Sequence, residues 1–295
     1  KYDSIYGRFN KEVSVKGSDL IVDSKAYKFI QEKDATKLPW GTLGIDIVVE
    51  SSGVFESYEK ASVHKTVGAK HVVITAPAKD EDTNDARTVL MGVNEDVLKS
   101  CSMSSTGSCT TNSVSPVIEI LSEKIGIKKA FLNTVHAYTS TQSLIDSPAK
   151  GNDYRRARAA AVNISPSTTG AAIAVTRAIE SLKGKFDGIA IRVPVVTTSL
   201  SAITFLANRN TTIEEINEIL TKASKESRWQ DVFKVTNDQI VSSDIIGEPH
   251  ASVADLSLTK VVDGDLCCVY AWYDNEFGYT NSLVAHVLKV AENMQ

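Results

Sequence analysis

The stretch Ile45-Asp46-Ile47-Val48-Val49-Glu50, ended by Ser51-Ser52-Gly53, decides the fold. A nearly continuous apolar run of this length suits a parallel strand buried on both faces. A helical pattern follows over residues 57–67 and stops at Gly68. His71-Val72-Val73-Ile74-Thr75 is then a second strand, ended by Ala76-Pro77. Strand, helix and strand make a βαβ unit with parallel strands. Ligands of such sheets bind beyond the carboxyl ends of the strands, which places Ser51-Ser52-Gly53 and Thr75-Ala76 to touch one. A plain βα turn is the simpler reading of both.

Working outward, Val13 and Val15, then Leu20, Ile21 and Val22, then Tyr27 and Phe29 form short runs broken by Gly17-Ser18-Asp19 and Asp23-Ser24-Lys25. These predict small antiparallel strands with tight turns. Pro39-Trp40-Gly41 reads as a loop, and residues 86–93 as a further strand. After residue 108 the texture changes. Phe131 to Ala137 alternates as a half-buried strand, residues 138–165 are a long polar stretch, and Gly170 opens a helix to about Leu182. Residues 188–193, 199–208 and 266–273 read as strands. Thr212 starts a helix whose apolar face is Ile213, Ile216, Leu220 and Ala223. A last helix runs from about Asn281 to Ala291. The expected fold is an α/β unit with parallel strands followed by an α+β unit with a mainly antiparallel sheet.

The 295 residues suffice for one large domain or two ordinary ones, and 42% hydrophobic with 23% charged residues is ordinary for a soluble globular protein. A net charge of −4 argues against nucleic acid as a main partner. No apolar run is long enough to cross a bilayer, so no membrane partner is expected. The cysteines are Cys101, Cys109, Cys267 and Cys268. Cys267 and Cys268 are adjacent in an alternating run and point to opposite sheet faces. No spacing signals a disulfide framework or a metal site, and the cytoplasm is the natural compartment.

The chemistry gathers at Ser108-Cys109-Thr110-Thr111-Asn112. Val114, Val117, Ile118 and Leu121 recur behind it at three- and four-residue spacing, so a helix starts there with Ser108 or a neighbour as cap. A cysteine in that first turn meets unpaired N–H groups and the positive end of the helix dipole, which favour thiolate. As a bare residue type Cys109 is as readily a small buried apolar side chain. His136 on a strand end, Thr139, Arg156, Thr169-Gly170 at a helix start and Arg192 at the end of an apolar strand add an imidazole, cations and hydroxyls. Together they suggest covalent chemistry on a phosphorylated substrate. Arg192 paired with a carboxylate, and Arg155, Arg156 and Arg158 as a solvated face, are the bland alternatives.

At these residues the chain resembles the phosphorylating glyceraldehyde-3-phosphate dehydrogenases. The resemblance rests on Ser108 to Asn112 followed by Pro116. It extends to Tyr2-Asp3-Ser4 with Gly7-Arg8, Ala76-Pro77-Ala78-Lys79, Met91-Gly92-Val93-Asn94, His136-Ala137-Tyr138-Thr139, Arg155-Arg156-Ala157-Arg158, Thr169-Gly170-Ala171-Ala172, Arg192-Val193-Pro194 and Trp272-Tyr273-Asp274-Asn275-Glu276, in the family's order over essentially the whole chain. It implies a Rossmann-type unit over residues 1–108 and 275–295, and a catalytic unit over 109–274 that includes an S-loop at 138–165. Cys109 would be the nucleophile and His136 the general base, with Cys109 N–H and His136 stabilising the oxyanion. Ser108, Thr110, Thr139, Arg156, Thr169, Gly170 and Arg192 would hold the substrate phosphate and inorganic phosphate. Lys33, Thr75 and Asn275 would serve the cofactor, NAD, with NADP left open. A homotetramer is implied, with the S-loop at its core.

The chain also departs from the family pattern. It starts at Lys1, just after the place of an opening βαβ unit of about forty residues that carries the G-x-G-x-x-G fingerprint, so a missing leading segment is expected. Lys33 stands where an arginine is usual and Ala35 where a proline is. Ser105-Thr106-Gly107 replaces Ser-Asn-Ala, Ser113 replaces a second cysteine, and Ser147 and residues around Gly151-Asn152 alter the S-loop. Two other readings follow: an erythrose-4-phosphate dehydrogenase, and a cofactor-less binding or assembly protein on the same fold.

Overall fold

The computed structural model describes residues 1–149 and 151–294. Lys150, within the stretch read as an S-loop, and Gln295 lie outside the described residues. Strands β1 (Tyr2–Asp3) and β2 (Gly7–Arg8) form a small hairpin. β3 (Val13–Lys16), β4 (Asp19–Val22) and β5 (Lys25–Tyr27) form the expected antiparallel meander. Residues 40–43 are a short helix, α1 (Trp40–Leu43), rather than a loop. Gly44 closes it in the left-handed conformation, a backbone state that glycine adopts without a Cβ clash.

β6 (Ile47–Glu50), α2 (Tyr58–Ala61), α3 (Val63–Thr66) and β7 (His71–Ile74) make the βαβ unit, with β6 and β7 parallel. β8 (Ala86–Thr88) and β9 (Met103–Ser105) complete a four-stranded sheet in the order β6-β7-β9-β8, all parallel. β7 is buried along its whole length. β6 pairs with β7 on one side, and its Val48 and Glu50 are buried while Val49 is 39% exposed. The strand expected over 86–93 ends at Thr88, and the short polar β9 escapes a hydrophobicity reading altogether.

The second unit begins with α4 (Cys109–Lys124), which leads into β10 (Ile127–Ala137). β11 (Ser165–Thr168), α5 (Ala171–Ala178), β12 (Phe186–Val193), β13 (Ser199–Ala207), α6 (Ile213–Ala223), β14 (Phe233–Thr236), β15 (Ser252–Val262) and β16 (Leu266–Tyr273) follow. Their strands form a seven-stranded sheet, β11-β12-β10-β13-β16-β15-β14. Four of its pairings are antiparallel, while β10–β12 and β14–β15 are parallel. α4, α5 and α6 cover one face. Val114, Val117, Ile118 and Leu121 are buried there against Leu132, Ile203, Val269 and Ala271. Each such side chain contributes about 1.5–3 kcal/mol on burial, which anchors the helix that begins at Cys109. On β16, Cys267 is buried and Cys268 faces the other side of the sheet, half-exposed.

α7 (Phe277–Asn293) starts a turn earlier than its sequence pattern and returns to the first sheet, where Leu283, Val287 and Val290 pack near Val73, Val89 and Leu98. Its His286 enters a buried polar cluster. Ser104 Oγ lies 2.9 Å from His71 Nε2 and 2.8 Å from His286 Nε2. Burial lowers both imidazoles, His71 to about 4 and His286 to about 3, from an ordinary value near 6.5. Asp85 raises His71 and Lys65 lowers it, while His71 itself lowers His286.

Folded values below the unfolded ones mean that the neutral rings belong to the native state. The native protein is therefore expected to lose stability as pH falls below about 6.5 and on toward 4. The slope is about 1.4 kcal/mol per pH unit for each proton that unfolding takes up. Urea midpoints measured from pH 7.5 to 4.5 check this. His286→Leu should flatten the slope, and an unchanged slope in that variant would refute the assignment.

Candidate active site

The loop into α4 is held before the cysteine is reached. Thr106 is buried, and its Oγ1 meets Tyr279 Oη at 2.7 Å and the Ile74 carbonyl at 3.3 Å. Gly107 takes a left-handed φ of 66°, and a Cβ there would lie 3.0 Å from Thr111 Cγ2, so glycine is required by backbone and space alike. Asn112 donates from Nδ2 to the carbonyls of Thr106 and Ser108, both at 2.8 Å. Ser108 caps the helix: its Oγ accepts from Thr111 N at 3.1 Å, and Thr111 Oγ1 accepts from Ser108 N at 3.2 Å.

Cys109 Sγ then lies 3.5 Å from His136 Nε2, although 27 residues separate them. β10 ends beside the first turn of α4, which is why a strand-end histidine reaches a helix-start cysteine. His136 Nδ1 is 2.6 Å from the Ala137 carbonyl and must donate to it, so Nε2 is the free acceptor of the neutral ring. Burial pushes the Cys109 thiol up, while the Thr110 hydroxyl and backbone N–H and then Arg192 pull it down. Burial pushes His136 down, opposed by its bond to the Ala137 carbonyl, and Arg192 lowers it further. The helix terminus favours a thiolate, burial works against it, and burial likewise favours the neutral imidazole.

Tyr273 ties these elements together, a residue that sequence reading places in a motif without giving it a task. Its Oη is 2.9 Å from Thr110 Oγ1 and 2.8 Å from Thr134 Oγ1, and its ring stands edge-on to His136 with centroids 6.1 Å apart. The only general signal for it is a buried tyrosine in need of a partner.

Arg192, at the end of β12, donates from Nη1 to Thr139 Oγ1 at 2.5 Å and to Gln142 Oε1 at 3.3 Å. Among the described residues no carboxylate pairs with it, so the bland reading fails for Arg192. Arg156 Nε is 2.9 Å from Asp153 Oδ2, and Nη2 donates to Ser167 Oγ at 3.3 Å. Burial first and then Arg156 lower Arg192's hold on its proton. An anion would relieve both effects. Thr169 Oγ1 accepts from Ala171 N at 3.2 Å, and Gly170 is the N-cap of α5.

Thr75, past the carboxyl end of β7, donates from Oγ1 to the Glu50 carbonyl at 3.1 Å. Asn275 Oδ1 accepts from Ser199 Oγ at 3.4 Å, and Ser199 Oγ also accepts from Ala137 N at 3.2 Å, next to His136. The Asn275 amide NH2 makes no hydrogen bond among the described residues. Parallel strands ending at Thr75, and a free amide donor tied to the histidine strand, fit a dinucleotide with its reactive end near Cys109. Lys33 is exposed on the coil before the turn at Ala35–Lys37 and is not brought to the other site residues. No group of three His, Cys, Asp or Glu among the described residues is arranged to hold a metal, and no helix is long and apolar enough to cross a membrane.

A nucleotide-type parallel sheet beside a unit that holds a cysteine–histidine pair and an unpaired arginine defines the class of dehydrogenases that react through a thiol. A family model described as glyceraldehyde 3-phosphate dehydrogenase, C-terminal domain, matches residues 108–275. One described as glyceraldehyde 3-phosphate dehydrogenase, NAD binding domain, matches residues 1–58. The chain is 47% identical over 288 residues to the glyceraldehyde-3-phosphate dehydrogenase of Clostridium pasteurianum, covering 96% of this chain and 84% of that protein. It is 46% identical to that of Streptomyces coelicolor (96% and 83%) and 44% identical to that of Mycolicibacterium smegmatis (100% and 85%). The chain belongs to the glyceraldehyde-3-phosphate dehydrogenase family.

Replacing Tyr273 by Phe strips a shared partner from two buried hydroxyls. It is expected to cost about 1–3 kcal/mol, read from urea unfolding. Loss of the bond to Thr110 should also free the first turn of α4 and quicken alkylation of Cys109 by iodoacetamide. Unchanged stability and labelling would deny Tyr273 this part.

Proposed function

We propose that this chain oxidises glyceraldehyde 3-phosphate, with NAD and inorganic phosphate, to 1,3-bisphosphoglycerate through a thiohemiacetal and a thioester on Cys109. The observation that carries the reading is the Cys109–His136 contact of 3.5 Å beside an arginine with no carboxylate partner. Sγ attacks the aldehyde carbon as its proton passes to His136 Nε2 and on to the new alkoxide. The Cys109 N–H, one of the unpaired donors of the first helical turn, faces that oxygen with His136. His136 Nε2 then takes the hydroxyl proton back as the carbonyl re-forms. NAD, which Thr75 and Asn275 would hold, would supply the acceptor for the hydride of the same carbon. Phosphate oxygen attacks the thioester, the carbon–sulfur bond breaks, and His136 returns the proton to Sγ.

Ser108, Thr110, Thr139, Arg156, Thr169, Gly170 and Arg192 are assigned to the two phosphates, with Arg192 shared between them. Thr75, Asn275 and the exposed Lys33 are assigned to the cofactor. We assign residues 1–108 and 275–295 to the nucleotide-binding unit and 109–274 to the catalytic unit. The packing of α7 against Val73 and Leu98 supports that division. Leu144, Ile145, Tyr154, Val162 and Ile164 are all exposed within 138–165. So many large apolar side chains on one loop support its burial between subunits, hence a homotetramer, and a cytoplasmic setting suits the free thiols.

The test is NADH formation from glyceraldehyde 3-phosphate. It should require inorganic phosphate, vanish in Cys109→Ser, and fall about 10²- to 10⁴-fold in His136→Asn. Normal turnover by Cys109→Ser would overturn the mechanism. Erythrose 4-phosphate in parallel, compared by kcat/KM, separates the two aldehydes.

A further inference from the structure

We propose that Gln142 is a positioning residue for the phosphate site: it aims Arg192 and Thr139 while leaving the guanidinium charge uncancelled. The proposal rests on the phosphate-binding reading above. Gln142 sits in the long polar stretch and is only 8% exposed. Its Oε1 accepts from Arg192 Nη1 at 3.3 Å and from Thr139 N at 3.4 Å. Two donors converging on one atom fix the amide with its oxygen toward them. Its own N–H donates to the Thr139 carbonyl at 2.9 Å, so backbone and side chain clamp the same residue. Arg192 Nη1 bridges Gln142 Oε1 and Thr139 Oγ1, the two polar groups that hold it.

The choice of amide over carboxylate carries the argument. Arg156 is answered by Asp153 at 2.9 Å. Among the described residues Arg192 is met by neutral acceptors only, and its Nε is buried with no partner. A glutamate of the same shape at position 142 would hold Arg192 in the same place and form a partly buried ion pair. The site would then be electrically satisfied without a ligand. Glutamine gives the geometry and withholds the charge, so the arginine stays directed and in need of an anion.

The probe is inorganic phosphate, and the readout is the rate of Cys109 alkylation by iodoacetamide at rising phosphate, which needs neither NAD nor turnover. In the unaltered chain phosphate should slow labelling to a plateau. In Gln142→Glu the half-protecting concentration should rise about tenfold or more, while thermal stability holds or increases. Gln142→Ala, which loosens Arg192 without cancelling it, should shift protection less. Protection is read against each variant's own phosphate-free rate, which Gln142→Glu should itself lower by cancelling the pull of Arg192 on the Cys109 thiol. A residue that only supports the loop would move stability and protection in the same direction, so their divergence in Gln142→Glu identifies the charge effect. Equal protection in the unaltered chain and in Gln142→Glu, or protection lost only together with stability, overturns the proposal. No protection in the unaltered chain overturns the phosphate reading, and this proposal with it.

Discussion

The Tyr273 hydroxyl, shared between Thr110 and Thr134, is the contact on which the site depends. Thr110 follows Cys109 directly on α4, and Thr134 lies two residues before His136 on β10. One phenol on β16 therefore sets the separation of a helix start and a strand end. Nothing else in the local sequence of either element dictates that sulfur and imidazole meet at 3.5 Å. Tyr273 is itself buried, so its hydroxyl has no water to turn to, and the three-way bond is obligatory. The next two residues, Asp274 and Asn275, inherit that fixed position. Asp274 accepts from Tyr6 Oη at 2.8 Å and from the backbone of Glu276 and Phe277, which leaves Asn275 little freedom.

Electrostatics then divides the labour. Burial favours the neutral forms of both Cys109 and His136, so the pair holds one proton between two poor charge carriers. That suits a step in which the proton must cross, return and cross again without being lost to solvent. The permanent charge is carried by Arg192, the partner of His136 across the β10–β12 pair, and it lowers the thiol's hold on its proton. Arg192 also disfavours a protonated His136. The same guanidinium therefore eases proton loss from sulfur and keeps the base from holding the proton too tightly.

Much of this was legible in the sequence, and the rest was hidden for identifiable reasons. β7, α4 and β16 announced themselves because burial on the expected faces leaves a clear periodicity. β6 has the same apolar texture as β7, and the two pair in parallel as the strand–helix–strand pattern predicts. β9 is Met-Ser-Ser, too short and polar to read, and it exists because β7 and β8 pair with it on either side. β15 carries a register irregularity between Asp255 and Lys260, which breaks the pairing that a strand signal assumes. Cys109, His136 and Arg192 could be nominated by residue type and motif. Gln142 and Tyr273 could not, because their meaning lies in bonds to residues such as Arg192 and Thr134, 50 and 139 positions away.

The end of the chain shows why such distant bonds matter. After Asn275, α7 crosses back to the first sheet and touches the strand and loop that lead into the cysteine. Tyr279 bonds Thr106 and reaches the Gly107 carbonyl at 3.4 Å, and His286 bonds Ser104. Ser104, Thr106 and Gly107 are the backbone on which Cys109 is delivered. The residue assigned to the cofactor and the loop that carries the nucleophile thus share one helix as their support. A shift of α7 would therefore act on Asn275 and on the loop into Cys109 together. That support runs through a buried Ser–His contact whose imidazole burial holds in the neutral form. The position of Cys109 is therefore secured from behind by His286, a group outside the candidate site.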